Sequence, residues 1–162
     1  MRVFCKDHEA TEQLGILLAQ NTPKNAVVYL NGDLGAGKST FARAFIQAMG
    51  YQGSVKSPTY TLLEVYPIAD NKLAVHMDLY RIADPEEIEY LSMDDYEKNA
   101  AVTLIEWPEK GENFIPMPDI KLNFSLHEQG RSIEFEAQNS KAANWLESLQ
   151  IEKIGHTNIN ES

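Results

Sequence analysis

Residues 32–39 read Gly-Asp-Leu-Gly-Ala-Gly-Lys-Ser, a complete G-x-x-x-x-G-K-[ST] pattern. An apolar run, Ala26-Val27-Val28-Tyr29-Leu30, precedes it, and a helical pattern over 39–49 follows. A strand, a glycine turn and a helix in that order form the phosphate-binding unit of α/β nucleotide-binding domains. The glycines let the backbone turn tightly enough for its N–H groups to converge on phosphate oxygens. The helix N-terminus adds partial positive charge. Lys38 is expected to reach the β- and γ-phosphates and the Ser39 hydroxyl to bind Mg2+. Asp33, Leu34, Gly35, Ala36 and Gly37, with Thr40 beyond them, complete the expected nucleotide contacts.

A chain of 162 residues is long enough to bury one real core. The expected organisation is a single domain over 1–150 with a polar, loose tail over 151–162. No apolar run has bilayer-spanning length and the N-terminus carries no signal-peptide core, so a cytoplasmic protein without membrane association is expected. Cys5 is the sole cysteine, which excludes an internal disulfide framework. His8, His76, His127 and His156 show no metal-ligand spacing, which argues against zinc. A net charge of −10 disfavours direct, tight binding to nucleic acid, although a basic partner can still bring RNA to an acidic protein.

The remaining pattern alternates strands and helices. Short edge strand 3–5 and helix 11–20, with Leu14, Leu17 and Leu18 on one face, precede the glycine unit. Residues 59–66 and 73–78 read as a hairpin around Asp70-Asn71. Asp84-Pro85-Glu86-Glu87 is a helix start, with one helix or two short ones running towards Lys98. Residues 101–105 form a buried strand and 111–119 a loop. Residues 120–126 and 132–137 form an antiparallel pair, and 140–149 a final helix. The order implies a three-layer α/β nucleotide-binding domain whose central sheet is mixed, because hairpins occupy the second half.

Two strands end in acids, Leu73-Ala74-Val75-His76-Met77-Asp78 and Ala101-Val102-Thr103-Leu104-Ile105-Glu106. Functional groups of open α/β sheets gather at the carboxyl ends of strands. A carboxylate there can hold a Mg2+ ligand or orient an attacking water, and the sequence does not divide those roles between Asp78 and Glu106. Ser57-Pro58-Thr59 is a rigid turn presenting two hydroxyls, suited to sensing a γ-phosphate. Trp107 is a core, stacking or interface residue, and Arg81 a phosphate contact or an ion-pair partner. A small-metabolite kinase is one alternative, but Arg2, Arg43, Arg81 and Arg131 form no cluster for a phosphoryl-transfer lid. A GTPase lacks its Asn-Lys-x-Asp here, since Leu73-Ala74 follows Asn71-Lys72. A non-catalytic nucleotide switch is the third alternative.

Taken together, GDLGAGKST, VKSPTYTL, HMDLYR with DPEE after it, and LIEWPEKG resemble the TsaE (formerly YjeE) family, in order and over most of the chain. The resemblance implies a small P-loop ATPase, using ATP and Mg2+, that works with TsaD and TsaB. TsaD transfers threonylcarbamoyl to adenosine 37 of tRNAs reading ANN codons, and ATP hydrolysis by TsaE supports repeated turnover, not the transfer itself. tRNA is then engaged only through the complex. By position, Lys38, Ser39 and Thr40 serve phosphate and Mg2+. Ser57 and Thr59 belong to the switch-like SPT motif, Asp78 to HxDLYR, and Glu106 with Trp107 to the EW motif. Thr11 lies in a segment that borders the nucleotide in this family. Catalytic roles fall on Glu106, Asp78 and Lys38, and metal contacts on Ser39, Glu106 and Asp78. Ser39 replaces a common threonine and Met77 a common phenylalanine; hydroxyl and apolar character both survive.

Overall fold

In the computed structural model, residues 1–150 and the two-residue strand Ile159–Asn160 are described. The order is β1 (Arg2–Cys5), α1 (His8–Gln20), β2 (Ala26–Asn31), α2 (Lys38–Ala48), β3 (Leu63–Pro67), β4 (Leu73–Asp78), α3 (Asp94–Glu97), β5 (Ala100–Glu106), β6 (Ile120–His127), β7 (Gly130–Ala137), α4 (Ser140–Glu147) and β8 (Ile159–Asn160). Among the described residues no helix is long and apolar enough to cross a membrane.

The strands form one mixed sheet, ordered β3-β4-β5-β2-β6-β7-β1-β8. β4, β5, β2 and β6 run parallel at its centre, while β3, β7, β1 and β8 each pair antiparallel with their neighbours. Strand alternation divides the interior in two. Val28, Leu30, Val102 and Leu104 face a core shared with Leu14 and Leu18 of α1, Phe41 and Phe45 of α2, and Trp145 of α4. Val75, Met77 and Ile105 face the other core, closed by Leu79, Ile82, Ile88 and Ile115. Three layers result, as the sequence implies, but the second covering layer is thin: α3 and 3₁₀ turns such as Pro85–Leu91 build it.

Two helices begin as their sequences dictate. Asp7 accepts the Ala10 N–H at 2.9 Å, and Asn139 accepts the Ala142 N–H at 2.9 Å. The Trp145 indole N–H donates to the Leu18 carbonyl at 3.0 Å, tying α4 to α1. Asp84 caps Glu86 at 3.0 Å, yet the segment it opens is 3₁₀ and stops at Ser92, whose φ is 53°. The hairpin strand expected from Thr59 begins only at Leu63. The Leu62 N–H donates to the Pro58 carbonyl at 2.8 Å, and Leu62 has φ 66°, so 58–62 closes into a turn. The loose tail expected over 151–162 lies outside the described residues, apart from Ile159 and Asn160, which pair with Val3 and Arg2.

Candidate functional site

The glycine-rich loop joins β2 to α2 at the carboxyl end of the parallel strands. Gly32 has φ 147°, and a Cβ there would stand 2.7 Å from the Phe124 carbonyl oxygen of β6, so only glycine lets the two backbones approach. Gly37 has φ 108° and opens α2, and no side chain among the described residues caps that helix. The N–H groups of its first turn are therefore left to serve whatever anion enters the loop.

Lys38 is 5% exposed, and its Nζ donates to the Gly32 carbonyl and, at 3.3 Å, to that of Asp33. The ammonium also stands 4.2 Å from the centroid of the Trp107 ring. Burial holds its pKa below the usual lysine value, while the charges of Glu106, Asp78, Glu109 and Asp33 oppose that shift.

The acids come from the carboxyl ends of β4 and β5, adjacent parallel strands. The register of β4 on β5 sets Asp78 beside Glu106. Asp78 accepts the Tyr80 N–H at 3.0 Å and the Thr59 hydroxyl at 3.3 Å. Burial raises its pKa, the Tyr80 hydrogen bond lowers it, and the Glu106 charge raises it again; the net shift is upward. Glu106 is 2% exposed and its Oε2 lies 2.8 Å from Nε2 of His76, itself fully buried. Ser57 Oγ and Thr59 Oγ1 are 2.6 Å apart, so a chain of hydroxyls leads from the SPT turn to Asp78.

Leu34, Gly35, Gly37, Lys38, Ser39, Thr40, Thr59, Asp78, Glu106 and Trp107 line one open cleft, with His8 at its side. Asp33 contributes through its carbonyl, Ala36 is buried, and Ser57 reaches the cleft only through Thr59. Thr11 stands apart. It is fully buried within α1, where its hydroxyl donates to the Asp7 carbonyl at 3.2 Å, and His8 one turn earlier takes the place beside the cleft. Arg81 stacks on Tyr60 at 4.6 Å, and Trp107 packs on Tyr80 with ring centroids 5.0 Å apart.

His76 and Arg131 are the residues that single-strand reading passed over. His76 lies two positions before Asp78, hence on the same strand face, so alternation alone puts it beside the acids. Arg131 lies against Ala36 and Gly37.

These features define an α/β domain whose cleft sits at the carboxyl ends of parallel strands, between a glycine-rich strand–loop–helix turn and two buried acids. Residues 5–133 match the family described as threonylcarbamoyl adenosine biosynthesis protein TsaE. A Haemophilus influenzae protein named tRNA threonylcarbamoyladenosine biosynthesis protein TsaE is 50% identical over 134 residues, covering 83% of this chain and 84% of the relative. A Bacillus subtilis protein of the same name is 35% identical over 153 residues, covering 93% and 92%. The crystal structure of Bacillus subtilis YdiB superposes with a TM-score of 0.72 at 25% identity, covering 94% of each chain. The chain belongs to the TsaE family.

Proposed function

We propose that this chain is a Mg2+-dependent ATPase that supports threonylcarbamoyladenosine formation at position 37 of tRNAs reading ANN codons, in complex with TsaB and TsaD. The observation that carries the reading is the meeting of Lys38, Asp78 and Glu106 in one cleft against the uncapped start of α2.

The residues present fit the groups they are asked to hold. Lys38 rests on two backbone carbonyls, weak partners that an incoming phosphate can replace with a charge-assisted contact. Ser39, Asp78 and Glu106 offer hydroxyl and carboxylate oxygens, the hard donors that suit Mg2+ when phosphate oxygens and water complete its shell. Bound there, Mg2+ would neutralise charge building on the transferred phosphoryl group. His76 fixes one oxygen of Glu106, which leaves the carboxylate oriented to position water or a metal ligand. Thr59 links Asp78 to the SPT turn, so that turn can respond to events at the acid.

The cleft is open, and Leu34 and Tyr60 beside it are exposed. Water exclusion is thus assigned to the partners, in an induced closing step. The net charge of −10 agrees with tRNA being held by the complex in the cytoplasm rather than by this chain. Steady-state phosphate release, measured alone and with TsaB–TsaD, tests the reading. The wild type should be slow alone and faster in the complex, and Lys38→Ala inactive in both. Hydrolysis that survives Lys38→Ala, or that ignores the partners, contradicts it.

A further inference from the structure

In β7 the buried residues alternate as Arg131, Ile133 and Phe135, so a guanidinium occupies a position that strand periodicity gives to apolar side chains. Arg131 is 7% exposed. Its Nη1 lies 3.5 Å from the Ala36 carbonyl oxygen, at the limit of a hydrogen bond, and its Nε has no partner among the described residues. Among the described residues no carboxylate forms an ion pair with it. A guanidinium remains charged at any working pH, and burying one without a counter-charge is costly. The same group occupies the space a side chain on Gly37 would need, so the missing Cβ lets the charge sit directly against the loop backbone.

We infer that Arg131 is an electrostatic part of the phosphate site, a fixed positive charge set against the loop from β7 whose counter-charge is the phosphate held by that loop. This rests on reading 32–39 as a phosphate site. The cleft itself is poor in cations. Among the described residues Lys38 is the only lysine or arginine that lines it, and Glu106, Asp78, Glu109 and Asp33 all act on that lysine. A polyphosphate entering the cleft meets more acid than base there, and Arg131 offsets the imbalance without occupying the cleft. At an effective dielectric of about 20, a unit charge even about 12 Å from one phosphate charge is worth roughly tenfold in affinity.

The test compares wild type, Arg131→Met, Arg131→Lys and Lys38→Ala by calorimetric titration with ADP and with inorganic pyrophosphate, at low and high salt, alongside thermal melts of the ligand-free proteins. Arg131→Met should bind both probes about tenfold more weakly, with a shallower salt dependence, while melting at or above the wild-type temperature because a buried unpaired charge is gone. Arg131→Lys should keep most of the affinity, and its folding makes the test independent of how well the methionine variant folds. The inference is overturned if Arg131→Met binds pyrophosphate like wild type, or if a folded Arg131→Lys loses as much affinity as Arg131→Met. It is also overturned if only ADP weakens, since the effect would then lie on the nucleoside. Wild-type binding in Lys38→Ala would instead overturn the phosphate reading of the loop itself.

Discussion

Asp78 and Glu106 sit side by side in the sheet but in different surroundings, and substitutions should separate them. Burial raises the Asp78 pKa, with the Tyr80 and Thr59 hydrogen bonds working against it. The folded chain thus holds this proton more tightly than the unfolded chain. Its contribution to stability is full in acid, below the ordinary carboxylate value, and is lost as pH rises through the folded value. At pH 7 the ionised group works against the fold, so Asp78→Asn should raise the melting temperature there, with the gain shrinking towards about pH 4. Mg2+-dependent nucleotide binding should fall about tenfold in the same variant. A lower melting temperature at pH 7 contradicts this account of Asp78. Glu106→Gln should slow partner-stimulated hydrolysis by about a hundredfold and change nucleotide affinity little, because a group that orients water acts mainly in the transition state. Equal losses in affinity and rate, measured by titration and phosphate release, would move Glu106 to ground-state binding. Both acids were legible in the sequence because apolar runs end on them. His76 and Arg131 were not, since each gains its meaning from a neighbouring element: His76 from Glu106 of β5, Arg131 from the loop before α2.

Among the elements, the joint made by Asp119 controls how the sheet meets α4. Its carboxylate accepts the Val27 N–H at 2.8 Å and the Asn139 amide at 2.8 Å, and Lys141 lies 3.2 Å away. Burial works against the charge, but these partners together outweigh it and lower the pKa. The joint therefore stabilises the fold above the ordinary carboxylate range, and that contribution is lost as pH falls through the depressed value. Asp119→Ala leaves the Val27 N–H unpaired at the start of the loop-bearing strand, and should cost about 1–3 kcal/mol in denaturant titrations near neutral pH. An unchanged midpoint would show the joint to be dispensable. The strands and long helices were readable from periodicity because that signal is local, but α1 begins at His8 behind its Asp7 cap, ahead of the start expected at Thr11. The start of β3 was not: 59–62 carries strand-like residues, but the Leu62 to Pro58 hydrogen bond wins and closes a turn. The second covering layer also escaped, since a good cap at Asp84 marks where a helix begins and not whether it continues as α or 3₁₀.

At the scale of the whole molecule, a mixed sheet carries an acid-lined cleft at one end, an exposed rim, and a net charge of −10. The glycine loop and the terminal acids made the class of site readable from sequence, whereas the open cleft emerged only from the folded arrangement. If the chain's ATP hydrolysis serves repeated turnover, its effect belongs in the number of product molecules each complex makes. The most direct measurement is threonylcarbamoyladenosine formed per TsaB–TsaD complex over time, with tRNA and ATP in excess. With the wild-type chain, product should pass one per complex and continue to accumulate. Without the chain, or with Lys38→Ala in its place, it should stall near one. Continued accumulation at the wild-type rate without the chain would contradict the account.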